Sequence, residues 1–265
     1  MAKKMLLTID DNQKKIKKPL LTFDGVQKKV KKAFLTVNGV HKLVFSGNLS
    51  LAELPVGSSV FMNVGGVARE FLVVHQGNPD ANMYDASCDD TWLLMKNVYG
   101  EDMSFGTNVD DFQSSDVRLE LNDVIFFAFD TNVQNLIKQV KIPHYKSGSN
   151  ASVASGVNGL PSKLFLLSGY EVGWTTADGN FPADGVVLDY FKGCATKDPK
   201  RISHYDNGDQ ACWWLRSIVT GSHKSAWSTW DGEAWAENFN TLCSVRPALI
   251  LPRTTLVDDN FNIIA

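Results

Sequence analysis

Along residues 1–47 the apolar and polar positions recur every 14 residues, as LLTIDDNQKKIKK, LLTFDGVQKKVKK and FLTVNGVHKLVF. Leu7-Thr8-Ile9-Asp10 returns as Leu21-Thr22-Phe23-Asp24 and again as Leu35-Thr36-Val37-Asn38. Each copy sets β-formers on both sides of a turn position, Asp24-Gly25 in the second and Asn38-Gly39 in the third. Such dipeptides favour the two-residue type I′ hairpin, whose central residues both take positive φ. The pattern predicts three short hairpins or a six-strand meander. A unit of this size closes no core of its own, so the segment is expected to need a partner surface.

After Gly47-Asn48-Leu49-Ser50 the lysine pairs cease and the pattern changes. Ser59 to Val64 and Glu70 to Val74 flank Gly65-Gly66 and read as a hairpin, ended by His75-Gln76-Gly77-Asn78-Pro79. Helical periodicity is strongest from Asp130 to Lys138, where Asp130 or Thr131 caps and Val133, Leu136, Ile137 and Val140 share a face before Pro143. Phe112 to Phe127 is a second helical stretch. Lys146 to Gly159, rich in Ser, Gly and Asn, reads as a mobile loop, and Lys163 to Leu167 as a buried strand. Helices early and strands late predict an α+β class.

Composition is that of an ordinary globular chain: 265 residues, 44% hydrophobic and 21% charged, with a net charge of -3. That near-neutrality hides two opposite parts. Residues 1–47 hold 11 lysines against three acids, a balance of +8, and the rest holds 15 bases against 26 acids, a balance of -11. The lysines follow the repeat register without interleaved aromatic residues that would stack on bases, and lysine on a strand edge also guards against edge pairing. Nucleic acid is therefore disfavoured as a partner, and docking or oligomerisation preferred. The apolar run Met5-Leu6-Leu7 is cut by Thr8 and Asp10, too short for a signal-peptide core. No stretch nears the roughly 18–20 residues of a spanning helix, so no membrane insertion is expected. Cys88, Cys194, Cys212 and Cys243 stand far apart without a CxxC, which predicts reduced, buried thiols.

The C-terminal third carries the most information. Five of the seven tryptophans, Trp213, Trp214, Trp227, Trp230 and Trp235, lie within 23 residues. Between the apolar anchors around Trp213-Trp214-Leu215 and Ala248-Leu249-Ile250-Leu251, the chain keeps neither a period of 2 nor one of 3.6. Aromatic residues set among polar ones on loops make a binding face, since they offer large rigid area at low entropic cost. Adjacent Trp213 and Trp214 point opposite ways on a strand, so at least one is buried. Trp214, Trp227 and Arg216 are assigned to structure, and Trp230, Trp235 and Phe239 to ligand. Arg216 and Arg246, inside apolar anchors, are expected to pair internally.

No catalytic constellation is visible. The five histidines are isolated, and the pairs Asp89-Asp90, Asp110-Asp111 and Asp258-Asp259 suit solvated loops. Cys212 and Cys243 as a redox or copper pair are set aside. Asp184-Gly185 and Asp206-Asn207-Gly208-Asp209 are oxygen-rich, but lack the closing Glu of a calcium loop and are explained by turn chemistry. No cofactor and no metal are expected.

The repeat LTxDGVxKKVKK with its final VNGVxKLVF resembles the N-terminal attachment segments of bacteriophage tail proteins. YDASCDDTWLLMK (Tyr84 to Lys96), IKQVKIPHY (Ile137 to Tyr145), LFLLSGYEVGW (Leu164 to Trp174), WWLRS (Trp213 to Ser217) and SVRPALILP (Ser244 to Pro252) resemble C-type-lectin-like domains of phage tail and Firmicutes surface proteins. These are related to the variable proteins of diversity-generating retroelements, in the formylglycine-generating-enzyme-like branch. The resemblance spans about residues 50–255, with Ser244 where members usually carry Gly before VRPA. It implies an α+β, C-type-lectin-like domain over 48–265, preceded by an all-β attachment or oligomerisation module over 1–47. It also implies a variable ligand surface between WWLRS and VRPA, for which the contact set is Ile218, Ser222, His223, Lys224, Ser228, Trp230, Asp231, Glu233, Trp235, Glu237, Phe239 and Thr241. The function implied is a non-enzymatic tail-tip receptor-binding protein of a virion. Its partners would be a bacterial surface protein or glycan and, through residues 1–47, other tail proteins, with a homo-oligomer open. The alternative is a structural virion protein, a baseplate or decoration component, whose C-terminal loops bind another subunit. An enzyme acting on cell-wall material would need a concave pocket with a perturbed acid pair.

Overall fold

The computed structural model describes residues 48–107, 111–147, 151–222 and 225–264, and the backbone of four strands between residues 20 and 46. The chain divides into two compact units, Met1–Asn48 and Leu49–Ala265. In the first, β1 (Leu20–Phe23) pairs antiparallel with β2 (Val26–Lys29), and β3 (Lys32–Val37) with β4 (Val40–Ser46). The ladders close at Phe23 opposite Val26 and Val37 opposite Val40, on either side of the Asp24-Gly25 and Asn38-Gly39 dipeptides. The first repeat copy lies outside the described residues.

In the second unit, β5 (Leu49–Ser50) leads into β6 (Ser59–Val64) and β7 (Val67–Gly77), joined through Gly65 and Gly66 at φ of 62° and 76°, the left-handed pair that a two-residue hairpin demands. β8 (Asp90–Met95) and β9 (Tyr99–Met103) follow. One 13-residue helical run then passes through Asp116–Leu119, a π segment at Glu120–Ile125, and Phe126–Ala128, before a short helix at Thr131–Leu136. Ser115 caps the first, its hydroxyl accepting from the Arg118 amide at 3.1 Å. Val117, Leu121 and Ile125 face the core. At the second helix Asp130 makes no cap bond and accepts from Asn63 instead.

β10 (Val140–Ile142) pairs with β13 (Leu160–Ser162), and β11 (His144–Lys146) with β12 (Ser152–Ala154). Part of the expected mobile loop is therefore paired: Ser152–Ala154 return along His144–Lys146, and Gly156 bridges to Tyr84. β14 (Ser203–His204) and β15 (Gln210–Ala211) form a small hairpin. β16 (Trp213–Ile218), β17 (Ser225–Thr229), β18 (Ala234–Asn238), β19 (Cys243–Val245), β20 (Ala248–Leu251), β21 (Leu256–Val257) and β22 (Ile263–Ile264) complete the unit.

Two sheets dominate. One is four-stranded, in the order β20-β8-β7-β6, and the other five-stranded, in the order β18-β17-β16-β19-β9. The expectation of an α+β, C-type-lectin-like class is corrected: strand makes up 37% and helix 16%, spread over several sheets, and the fold is mainly β. The helical stretches exist, but they are short and most intervening segments pair as two- or three-residue strands. Leu164 to Leu167 are fully buried yet form no regular strand, joining β20 by the single bridge Phe165 to Ala248. Asn122 supplies what a ladder would have given: its Oδ1 accepts from the Lys163 and Leu164 amides at 3.2 Å, and its Nδ2 donates to the Leu164 carbonyl at 3.0 Å. Trp92 sits in the main core with Tyr84 and Phe165 edge-on at 5.5 Å.

Candidate functional site

β16 reads WWLRSI and is buried at every position, so it is central on both faces rather than half-exposed. Trp213 donates its indole N–H to the Arg201 carbonyl at 2.8 Å and Trp214 to the Met103 carbonyl at 2.9 Å, and both are core. Arg216 uses its whole guanidinium. It meets the Glu171 carboxylate through two bonds at 2.5 and 2.7 Å, and donates to the Pro143, Leu166 and Asp184 carbonyls at 2.9 Å. Tyr84 donates to Glu171 at 2.8 Å, and Ser217 Oγ lies 2.9 Å from both Asp184 carboxylate oxygens. A buried cation with full geometry keeps the neighbouring carboxylate paired. Complete burial nevertheless pushes the Asp184 carboxyl up to about 7, against the attraction of Arg216. Burial also raises the Tyr84 phenol well above its ordinary value. Arg246 donates to the Met95 carbonyl at 2.8 Å and lies over the Trp213 ring at 5.0 Å. With no carboxylate beside it among the described residues, burial brings it down to about 10.

From this frame a hairpin, β17–β18, reaches outward. β17 is held by β16, and Trp227 packs its face on Phe181 at 3.9 Å. β18 is the outer strand of the sheet, mostly exposed. The connection carries Gly232 at φ 88°, where a Cβ would lie 2.5 Å from the Asp198 carbonyl oxygen. Only glycine fits there. The Gly232 carbonyl accepts from the Asp198 amide at 3.3 Å and from Arg201 at 3.2 Å, which fixes the tip. Trp230 and Trp235 flank that tip, 51% and 46% exposed. Between them Asp231 accepts from Lys197 at 2.5 Å, from the Glu233 amide at 3.2 Å and from the Trp235 indole at 3.4 Å. The Lys197 bond holds the Asp231 carboxyl below its usual range.

Beside the hairpin is a groove of about 630 Å3 lined by Glu101, Asp102, Tyr205, Asp206, Asp209 and Leu242, among others. Gln210 links it to the tip by donating to the Trp230 carbonyl at 2.9 Å. Asp102 accepts from Tyr205 at 2.7 Å and from Ser244 at 2.5 Å. Asp206 pairs with Arg69, and Asn207 bonds Asp209 in a closed Asx turn. Among the described residues no three metal-type ligands converge.

Residues 89–253, more than half of the chain, match a family model described as Domain of unknown function (DUF6273). The chain belongs to the DUF6273 family. No curated protein and no solved structure matches it. The matched stretch of the DUF6273 chain opens just before β8 and closes after β20, so it contains the tryptophan hairpin, the Glu171–Arg216 pair and Arg246, and omits β6, β7 and the closing strands.

Within this DUF6273 chain the expected contact residues divide. Trp230, Asp231, Glu233 and Trp235 come together at the tip, with Glu237 and Thr241 half-buried on the return, joined at 3.2 Å. Ser222 is half-buried near the preceding turn. His223 and Lys224 lie outside the described residues. Ile218, Ser228 and Phe239 are corrected to core: Ile218 and Ser228 lie in strands covered on both sides, and Phe239 stacks on Phe105 at 5.1 Å. The reduced-thiol expectation is also corrected for Cys212 and Cys243, which form a disulfide with Cα atoms 5.1 Å apart, while Cys88 and Cys194 are free. Burial pushes the Cys88 thiol up to about 12, so it is inert at neutral pH. Lys197, Asp198 and the Asp102–Tyr205 wall were missed, since their place beside the tip depends on contacts across 30 to 100 residues.

Proposed function

We propose that this DUF6273 protein is a non-enzymatic binding protein, the receptor-binding component of a phage tail tip or fibre tip. In this reading it is carried in the virion, fixed to other tail proteins through residues 1–47, and meets a bacterial surface protein or glycan with the β17–β18 tip. The observation that carries the proposal is the contrast among neighbouring tryptophans. Trp213, Trp214 and Trp227 are spent on the core, whereas Trp230 and Trp235 stand half exposed around a carboxylate, on a tip held rigid by Gly232, Asp198 and Arg201. Rigid aromatic area ringed by polar groups is the composition of binding hot spots.

The test is adsorption of the labelled full chain to a panel of intact bacterial cells. Replacing Trp230 and Trp235 together by Ala should abolish adsorption while the melting transition stays in place; normal adsorption by the folded double variant would show the face to be wrongly assigned. A second reading, a structural virion protein whose C-terminal loops bind a neighbouring subunit, is favoured by one observation: β18 has a single strand neighbour among the described residues, and so presents an open edge to strand addition. Cross-links from residues 234–238 to another virion protein in assembled particles would favour that reading.

A further inference from the structure

The two cysteines stand at the two ends of the display segment. Cys212 immediately precedes β16, Cys243 opens β19, and the 31-residue separation between them contains the whole β17–β18 hairpin with Trp230 and Trp235. Apart from the covalent link, the ends are joined narrowly. β16 and β19 run parallel with one registered pair, Trp213 and Ser244, and the Ser244 amide donates to the Cys212 carbonyl at 2.9 Å. On its other side the hairpin hangs on a β16–β17 ladder whose register shifts between Trp214 and Ile218. β19 is also interrupted in register against β9, between Cys243 and Val245. The segment thus has irregular ladders on both flanks and a covalent tie at its base. Cys212 is half-buried and Cys243 buried, so Cys212 is the more exposed residue of the bonded pair.

We propose that the Cys212–Cys243 bond is a redox control on the tryptophan tip: oxidised, it clamps the hairpin for binding, and reduced, it releases it. This control rests on the binding reading above. In the reductive direction a thiolate of a dithiol reductant attacks Cys212 Sγ, and the bonding electron pair leaves on Cys243 Sγ, which takes a proton. The second thiol of the reductant then attacks the mixed disulfide and frees Cys212 as a thiol, while the reductant ends as its own disulfide. The reverse exchange, with a small-molecule disulfide as oxidant, restores the clamp. A chain made in a reducing cell would hold the hairpin by its non-covalent contacts alone, those of Gly232 with Asp198 and Arg201 among them, and the same chain outside the cell would clamp it at its base as well.

Hydrogen–deuterium exchange on the full chain, oxidised and after dithiothreitol, tests the clamp without any receptor. Amides of Ser225–Thr229 and Ala234–Asn238 should exchange at least tenfold faster on reduction, with β20-β8-β7-β6 unchanged. The Cys212→Ser/Cys243→Ser double variant should behave as the reduced chain and ignore dithiothreitol. Unchanged hairpin exchange, or acceleration across the whole unit, would overturn the clamp. On the cell panel, reduction should weaken adsorption about tenfold, and re-oxidation should restore it. If Trp230→Ala/Trp235→Ala abolishes adsorption while reduction leaves it intact, the redox control fails and the binding face stands. If the tryptophan variant adsorbs normally, or no cell is bound by the wild type, the adhesion reading fails and takes the control with it, while the exchange result still decides the clamp.

Discussion

The two sheets of the second unit treat aromatic and apolar residues in opposite ways. β8 and β20 pair at one side of the four-stranded sheet, and every residue from Thr91 to Met95 and from Ala248 to Leu251 is buried. In the five-stranded sheet burial falls from complete in β16 to mostly exposed in β18, only two strands away. A tryptophan is therefore worth different things in the two places. Trp92 is worth fold stability, and Trp235 is worth contact area.

Measured stabilities should expose that difference. Trp92→Ala leaves a large void between Tyr84 and Phe165 and is expected to cost about 3–5 kcal/mol in urea denaturation. Arg216→Met should cost a similar amount, about 3–5 kcal/mol, because it strands the Glu171 carboxylate in the core. Asp184 sets a pH dependence of definite sign. Its folded value, about 7, lies above its unfolded one, so its contribution is complete in acid and is lost as pH rises through 7. Asp184→Asn should therefore be more stable than wild type at pH 9 by up to about 4 kcal/mol, with the difference shrinking as the pH falls below 7 and little left near pH 3. His144 acts oppositely: burial brings it down to about 4, so its contribution is present above its ordinary 6.5 and is lost as the pH falls towards 4. Gly232→Ala should cost about 1–3 kcal/mol, with faster exchange confined to the tip. Trp235→Ala should change stability by no more than about 0.5 kcal/mol while impairing adsorption. An equal loss from Trp92→Ala and Trp235→Ala would erase the distinction between the sheets.

What could be read in advance followed from local rules. The β6–β7 hairpin was legible because alternation and Gly65-Gly66 agree, and the helix around Thr131–Leu136 because its apolar spacing is strong. Internal pairing of Arg216 was legible from its apolar neighbours, although its partner Glu171 was not. The fold class was misread because ten of the 18 strands described in the second unit are two or three residues long, below the length at which periodicity shows. Phe239 looked ligand-facing amid Glu237, Asn238 and Asn240, but Phe105, more than 130 residues earlier, supplies the ring that buries it. The disulfide escaped for the same reason: spacing along the chain says nothing of whether two Cα atoms come within bridging distance.

The position of β8 between β7 and β20 bears on what counts as one cooperative unit. β7 lies wholly outside the stretch that matches the family model, yet it covers one full hydrogen-bonding edge of β8 from Phe71 opposite Met95 to Gly77 opposite Asp90. A fragment trimmed to 89–253 would present that edge, made of Trp92, Leu93, Leu94 and Met95, as a template for strands of other molecules. Such a fragment should aggregate rather than fold, and the smallest autonomous piece must begin early enough to include the β6–β7 hairpin.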